Sequence, residues 1–367
     1  MRTYRFKLYK SKRNRKLHKQ INTACLIYNH CIALHKRYYK LFGKSLNLYQ
    51  LQKHITKLKK ISKFAYMKEL GSQAVQDIAE RIDRAYKLFF RNLKHKIRTA
   101  PPSFKKINKY KSFTLKQTGW KLDEASNSIT IGKQRYRYAK SREIEGKIKT
   151  ITVKRDALGD IYLYFVCETS ENEVLARTGK NVGFDFGLKT FLTASDGKDI
   201  KAPLFFRQNA NAIKMASRNL SRKAKGSNNR KKAKIALARL HKKVANQRDN
   251  FHWQTASKLV GEYALICIED LNLKAMQKRF GRKISDLGFA DFVSKLKYKA
   301  HRAGVSVIEV DRFFPSSQLC SDCGYRNTET KNLTIRKWTC PKCGNIHNRD
   351  RNASINIERE GSRIFFA

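Results

Sequence analysis

Acidic residues are scarce in this chain. Its 29 Asp and Glu stand against 80 Lys and Arg, for a formal net charge of +51 over 367 residues. A solvated basic face does not account for a surplus of that size, and a compact state carrying it repels itself unless a polyanion neutralises it. Long apolar runs are also missing: none approaches the ~18 residues of a membrane-spanning helix, so no membrane partner is expected. The N-terminus, Met1-Arg2-Thr3-Tyr4-Arg5-Phe6-Lys7-Leu8-Tyr9, alternates basic and apolar residues. It offers no apolar signal-peptide core, so a cytoplasmic protein is expected. No internal repeat or low-complexity tract stands out. Apolar residues are plentiful at 41%, enough to bury real cores, and the length predicts two or three domains. A folded, extremely basic chain of this kind predicts nucleic acid as the partner.

Eight cysteines are present, and four of them fall in two matched pairs, Cys320-Ser321-Asp322-Cys323-Gly324 and Cys340-Pro341-Lys342-Cys343-Gly344, with sixteen residues between. Two C-x-x-C knuckles at this spacing supply the four thiolates of a tetrahedral Zn²⁺ site, and each following glycine permits the sharp reversal a knuckle needs. A redox pair or disulfides explain the matched spacing less well. Four protein ligands close the shell, so the zinc is expected to be structural, with nearby His347 outside it. Cys25, Cys31, Cys167 and Cys267 lie in apolar segments and read as reduced core residues.

Hydrophobic periodicity divides the chain. A short strand is predicted over residues 3–9 and helices over 11–39, 48–60 and 72–96, the last stopped before Pro101-Pro102. Alternating runs at 113–116, 120–122, 128–131, 147–154 and 161–167 predict a small barrel or sandwich. The first strand is expected to return to it, leaving the helical block as an insertion. A polar linker covers 168–180. Strands follow at 181–186 and 188–194, then two helices between 206 and 247 parted by Gly226-Ser227-Asn228-Asn229. A strand at 264–269, a helix at 286–302 and a strand at 305–310 complete the pattern. Lys214 to Arg248 holds thirteen Lys and Arg and no acid, so this hairpin is expected to face nucleic acid through Arg222, Lys223, Lys225, Arg230, Lys231 and Lys232.

Three carboxylates stand out. Asp185 interrupts the apolar strand Asn181-Val182-Gly183-Phe184-Asp185-Phe186-Gly187, on the face opposite Val182, Phe184 and Phe186, with Gly183 expected to leave open space beside it. Five apolar residues, Ala264 to Ile268, run directly into Glu269 and Asp270. Asp350 begins a helix whose Ala353 and Ile357 share one face. Singly, each reads as a strand end or a helix cap. Together, in so basic a chain, they point to a divalent-metal site able to hydrolyse a phosphodiester, two Mg²⁺ being the expected ions.

Asp185 in Gly-Phe-Asp-Phe-Gly, Glu269 in Ile-Glu-Asp-Leu and Asp350 in Asp-Arg-Asn-Ala resemble the three RuvC motifs of TnpB proteins. Ser316-Ser317-Gln318-Leu319-Cys320-Ser321-Asp322-Cys323-Gly324, with the second knuckle, resembles that family's zinc ribbon. The resemblance spans essentially the whole chain. It implies a multidomain α/β protein: a RuvC-like RNase H fold with an inserted zinc ribbon, and an N-terminal wedge barrel carrying a helical recognition insertion. The implied boundaries are 1–10 and 101–172 for the wedge, 11–100 for recognition, 178–314 and 348–367 for the nuclease domain and tail, and 315–347 for the ribbon.

The function implied is that of an insertion-element, RNA-guided DNA endonuclease, related to type V CRISPR effectors, cutting beside a short adjacent motif. Its partners would be a transposon-derived guide RNA and double- and single-stranded target DNA, with one RNA per monomer in a prokaryotic cytoplasm and on the nucleoid when bound to DNA. Gln76, on the third helix, is the candidate for contacting the adjacent motif. The family often carries Asp-Arg-Asp where this chain has Asn348-Arg349-Asp350, so Asp350 is the expected metal-binding acid. The alternatives are a catalytically silent guided regulator, an unguided RNase H-like transposase and a structural RNA-binding protein.

Overall fold

Alternation sets the first strand. In β1 (Arg2–Leu8), Tyr4, Phe6 and Leu8 are buried while the intervening residues reach toward solvent. The computed structural model describes residues 1–169, 179–332 and 334–367, and the chain divides into two compact units, Met1–Ser170 and Glu171–Ala367. The expected linker at 168–180 lies, for residues 170–178, outside the described residues.

In the first unit β1 is followed by α1 (Asn14–Phe42), α2 (Leu48–Leu58) and α3 (Ser72–Lys94), with a 3-10 segment (Ser62–Glu69) before α3. A capping box between Asn47 and Gln50 starts α2. Gly43, at φ 63°, ends α1 in the left-handed region that a side chain resists. The strands β2 (Ser112–Leu115), β3 (Trp120–Asp123), β4 (Ser128–Ile131), β5 (Gln134–Ala139), β6 (Lys147–Arg155) and β7 (Ile161–Glu168) join β1 in one antiparallel sheet of order β2-β6-β7-β1-β5-β4-β3. β1 lies between β7 and β5, and the three helices fall between it and the next strand in sequence. β5 was not expected, because only Tyr136 and Tyr138 are buried in a run otherwise basic or polar. Asp77 accepts from Thr114 N at 3.2 Å and pairs with Arg81, which donates to Ser112 O at 3.0 Å, so α3 is pinned along β2.

The second unit contains β8 (Lys180–Phe186), β9 (Thr190–Ala194), β10 (Ile200–Lys201), α4 (Phe205–Gln208), α5 (Ala210–Ser221), α6 (Asn228–Glu262) and β11 (Tyr263–Glu269). α7 (Leu273–Leu287), α8 (Phe289–Ala303), β12 (Ser306–Val310), β13 (Lys337–Thr339), β14 (Ile346–Asn348) and α9 (Arg349–Phe366) follow. Its main sheet has the order β10-β9-β8-β11-β12, with β8, β11 and β12 parallel and β9 and β10 antiparallel. One face packs Val182, Phe184, Ile266 and Ile268 against Leu259, Phe289 and Phe292 of the helices. On the opposite face Leu265, Cys267 and Val310 meet Ile357 of α9.

Two helical expectations change. α6 runs unbroken for 35 residues to Glu262, where a helix ending by 247 was expected, because Ala256, Leu259 and Val260 pack into the core. α7 was unforeseen, and it begins on the Asn272 side chain, which accepts from Ala275 N at 3.1 Å.

Candidate active site

Parallel pairing sets the first two acids side by side. The β8–β11 register matches Gly183 with Cys267 and Phe184 with Ile268. One residue further, Asp185 and Glu269 are neighbours at the carboxyl ends of their strands, on the face that α9 covers. Here the expectation for Gly183 is corrected, because the space beside it is filled. A Cβ there would collide with the Ser354 carbonyl oxygen and lie 2.5 Å from Glu358 N, so glycine is what lets α9 lie against β8. Gly361 does the same at β11, where a Cβ would stand 2.6 Å from that of Cys267. Both close approaches hold α9 across the two acid-bearing strands.

The start of α9 then positions the third acid. Asn348 is the N-cap, its Oδ1 accepting from Asp350 N and Arg351 N, both at 3.1 Å. Asp350 is therefore not the cap, and its carboxylate pairs with Arg336 instead. The departure from Asp-Arg-Asp thus falls on a capping residue, where Asn serves as well as Asp.

Electrostatics tie the three together. Burial raises the Asp185 carboxyl well above its ordinary range, Glu269 and Asp350 raise it further, and Arg349 and Arg336 oppose them. Burial, with Asp270 adding, pushes Glu269 up to about 7. Asp270 itself faces Arg312, whose Nε donates to it at 2.9 Å. The Arg336 guanidinium donates to both Asp350 oxygens, at 3.1 and 3.3 Å. Ligand atoms of the three acids do not draw within 4.8 Å of one another, as those of the thiolate cluster do. A set of like charges, partly desolvated and offering only oxygen donors, fits a hard divalent cation.

Sequence reasoning missed Arg336 and Arg349. Arg349 is buried, donating to Asn332 O at 3.0 Å, and its N–H bonds Arg336 O at 2.9 Å. Its place beside Asp350 was a readable signal. Nothing local marked Arg336, which the pairing of β13 with β14 brings to the start of α9.

The four knuckle cysteines converge. Sγ–Sγ separations of 3.7 Å for Cys320–Cys343 and 3.6 Å for Cys323–Cys340 match the ~3.8 Å edge of a tetrahedron with ~2.3 Å zinc–sulfur bonds. His347 sets Nε2 3.1 Å from Cys320 Sγ and packs against Trp338, and Cys320, Asp322 and His347 form a second group whose donor atoms lie within 4.8 Å of one another. Asn352 and Asn356, one turn apart on α9, grip the first knuckle. Asn352 accepts from Ser321 N at 2.8 Å and donates to Leu319 O, and Asn356 donates to Ser316 O at 2.8 Å. The helix that starts with Asp350 therefore also anchors the cluster. The other four cysteines are free and buried, as expected.

The candidate nucleic-acid contacts are dispersed. Arg222, Lys223, Lys225, Lys231 and Lys232 are exposed around the α5–α6 turn. Arg230 differs, since its Nη1 donates to Leu220 O at 2.9 Å and Lys223 O at 2.8 Å and so closes that turn. Gln76 is half-buried on α3, one residue before the anchoring Asp77.

Residues 164–279 match the OrfB_IS605 family, described as "Probable transposase", and residues 289–357 match the "Cas12f1-like, TNB domain" family. A Streptomyces pristinaespiralis protein named "Putative RNA-guided DNA endonuclease" is 30% identical, covering 92% of this chain and 83% of its own. An Escherichia coli K12 protein, "Putative RNA-guided DNA endonuclease InsQ", is 28% identical over 93% of this chain and 87% of its own. Among solved structures, Cas12f1 in complex with sgRNA and target DNA aligns with a TM-score of 0.57 at 15% identity, over 95% of this chain and 83% of that one, which shows a shared fold. With a relative this similar along most of both chains, and with the motifs where the structure places them, the chain belongs to the TnpB family.

Proposed function

We propose that the chain is an RNA-guided DNA endonuclease whose second unit is a RuvC-like, RNase H-type nuclease domain. The observation that carries this reading is the register that makes Asp185 and Glu269 neighbours, with Asp350 on α9 near enough to raise the Asp185 carboxyl. Three parallel strands with an antiparallel edge support the fold assignment. The names of the relatives support RNA-guided action on DNA.

Asp185, Glu269 and Asp350 would hold Mg²⁺, two ions in the full site. Magnesium bound there supplies water activation and charge neutralisation for phosphodiester hydrolysis. The chain's own residues do the rest. Burial disfavours the charged forms of Asp185 and Glu269, and Arg336 and Arg349 would balance the acids until cation and phosphate arrive. The four-thiolate cluster would hold structural Zn²⁺, folding residues 315–347 onto α9. The first unit would supply a wedge sheet and a recognition block, with Gln76 and the α5–α6 cations among the contacts. Guide pairing would read target sequence while the protein reads shape and backbone. The particle would be a monomer with one transposon-derived guide RNA in a prokaryotic cytoplasm, held on the nucleoid when bound to double- or single-stranded target DNA.

Sequencing the RNA that copurifies with protein expressed beside its flanking genomic DNA tests the guided reading. A discrete RNA ending in variable sequence from beyond the element supports it. Random cellular RNA, or none, contradicts it.

A further inference from the structure

The first 68 residues of the chain contain no acid, and neither does the stretch from Arg84 to Lys111. These two segments meet at one end of the helical block. Near the start of α3, Gln20 Nε2 donates to Glu69 O at 3.0 Å, and fifteen residues further along α1 the His35 ring stacks on Tyr86 at 4.2 Å. α1 and α3 therefore run parallel, and their C-terminal ends lie together. Up to His35 and Ile82 they bury apolar side chains, and beyond those positions neither helix buries any residue. The apolar pattern nevertheless continues. Tyr39 is 58% exposed, Phe42 60% and Phe90 42%, and Phe104, on the segment returning past α1, is 54% exposed.

Several of the rings touch neighbours. Tyr38 lies against Phe42 with centroids 4.8 Å apart, Phe89 against Phe90 at 5.2 Å, and Lys36 Nζ sits 4.8 Å from the centre of the Phe104 ring. Exposed cations flank them in the sequence, among them Arg37, Lys40, Arg91, Lys94 and Arg98. Asp83, the acid nearest in sequence to this end of α3, is paired with Lys87 at 2.9 Å.

We propose that this end of the α1–α3 pair is a stacking platform for unpaired bases of a bound nucleic acid. The inference rests on the proposed function for its partner class and goes beyond it in naming single-stranded bases as what the surface takes. Charge settles the occupant. A second copy of the chain would bring the same cations against themselves, and phosphates alone would need only the lysines and arginines. Exposed rings among cations match a strand that offers anionic backbone and free π-faces at once. Base-on-ring stacking of this kind typically contributes ~1–3 kcal/mol per base.

The test uses the full chain, purified free of RNA, and two oligonucleotides of equal length: a single strand bearing bases and the same backbone made abasic. Wild-type protein is expected to bind the base-bearing strand at least about tenfold more tightly. The double variant Tyr39→Ala, Phe42→Ala loses that preference and keeps its affinity for the abasic strand. All altered side chains are solvent-exposed, and an unchanged melting temperature verifies the fold. A single variant, Phe104→Leu, removes a ring while keeping apolar bulk, and lowers the preference in part.

Equal wild-type affinity for both strands overturns the platform and leaves the proposed function standing. Failure to bind either strand contradicts both. Retention of the preference in the double variant overturns the assignment to this end. So does a variant that loses only binding to phosphatidylglycerol-containing vesicles, which would make the surface a lipid contact, or only self-association in sedimentation.

Discussion

Replacing Glu269 by Gln is expected to stabilise the magnesium-free protein while abolishing cleavage. The carboxyl of Glu269 is raised from an ordinary 4.5 to about 7, chiefly by burial. A group raised in this way contributes stability that is fully present below about 4.5 and is lost as pH rises through about 7. At pH 8 the folded protein therefore carries a carboxylate it would rather protonate. The difference between 4.5 and about 7, at 1.36 kcal/mol per pH unit, is about 3 kcal/mol. Glutamine keeps the shape in a permanently neutral form and avoids that loss. For a unit of this size the gain corresponds to a rise in melting temperature of about 6–12 °C.

The assay is thermal unfolding of zinc-loaded protein in Mg²⁺-free buffer, wild type against Glu269→Gln, at pH 8 and pH 5. The variant should melt higher at pH 8, and the gap should shrink to about 1 kcal/mol or less at pH 5, where wild-type Glu269 is already protonated in the fold. Adding Mg²⁺ at pH 8 should raise the wild type and leave the variant nearly unmoved, because only the folded wild-type site binds the ion. Equal melting temperatures at pH 8, or a gap independent of pH, would refute the desolvated acidic cluster.

Three further outcomes are expected. Gly183→Ala forces a Cβ into the backbone of α9 and should lower stability by about 2–4 kcal/mol with loss of cleavage, read by thermal unfolding and a nicking assay. Cys340→Ser should release the metal of the thiolate cluster, seen as zinc below one equivalent in elemental analysis and as a reduced yield of folded protein. Affinity for target DNA should fall steeply with salt, the logarithmic slope scaling with the number of phosphates neutralised. A flat response would contradict the role assigned to the +51 charge.

The candidate ligand residues were more legible in the sequence than the framework that assembles them. The thiolate cluster was legible because C-x-x-C spacing is local and the chemistry of its ligands is restrictive. Asp185 and Glu269 were legible because each stands where an apolar run ends or is interrupted. Their adjacency was not, since it depends on parallel pairing between strands some eighty residues apart. Gly183 shows the limit well: a missing side chain reads as space, and only the tertiary fold shows that space filled by the backbone of another element. β5 escaped because its alternation is carried by two tyrosines among arginines, and α6 was cut short because its polar middle hides a buried C-terminal half. Arg336 had no local mark, because its role arises from where the β13–β14 pair delivers it.

Cleavage of a linear duplex matching the copurified guide RNA, in Mg²⁺, by wild type and by Asp185→Asn decides whether Asp185, Glu269 and Asp350 form the cutting centre of a guided nuclease. Guide-dependent cleavage is expected from the wild type, with a loss of at least ~10²–10³-fold in the variant while RNA and target binding are retained. Undiminished cleavage by Asp185→Asn, or wild-type cleavage that ignores the guide, would contradict that assignment.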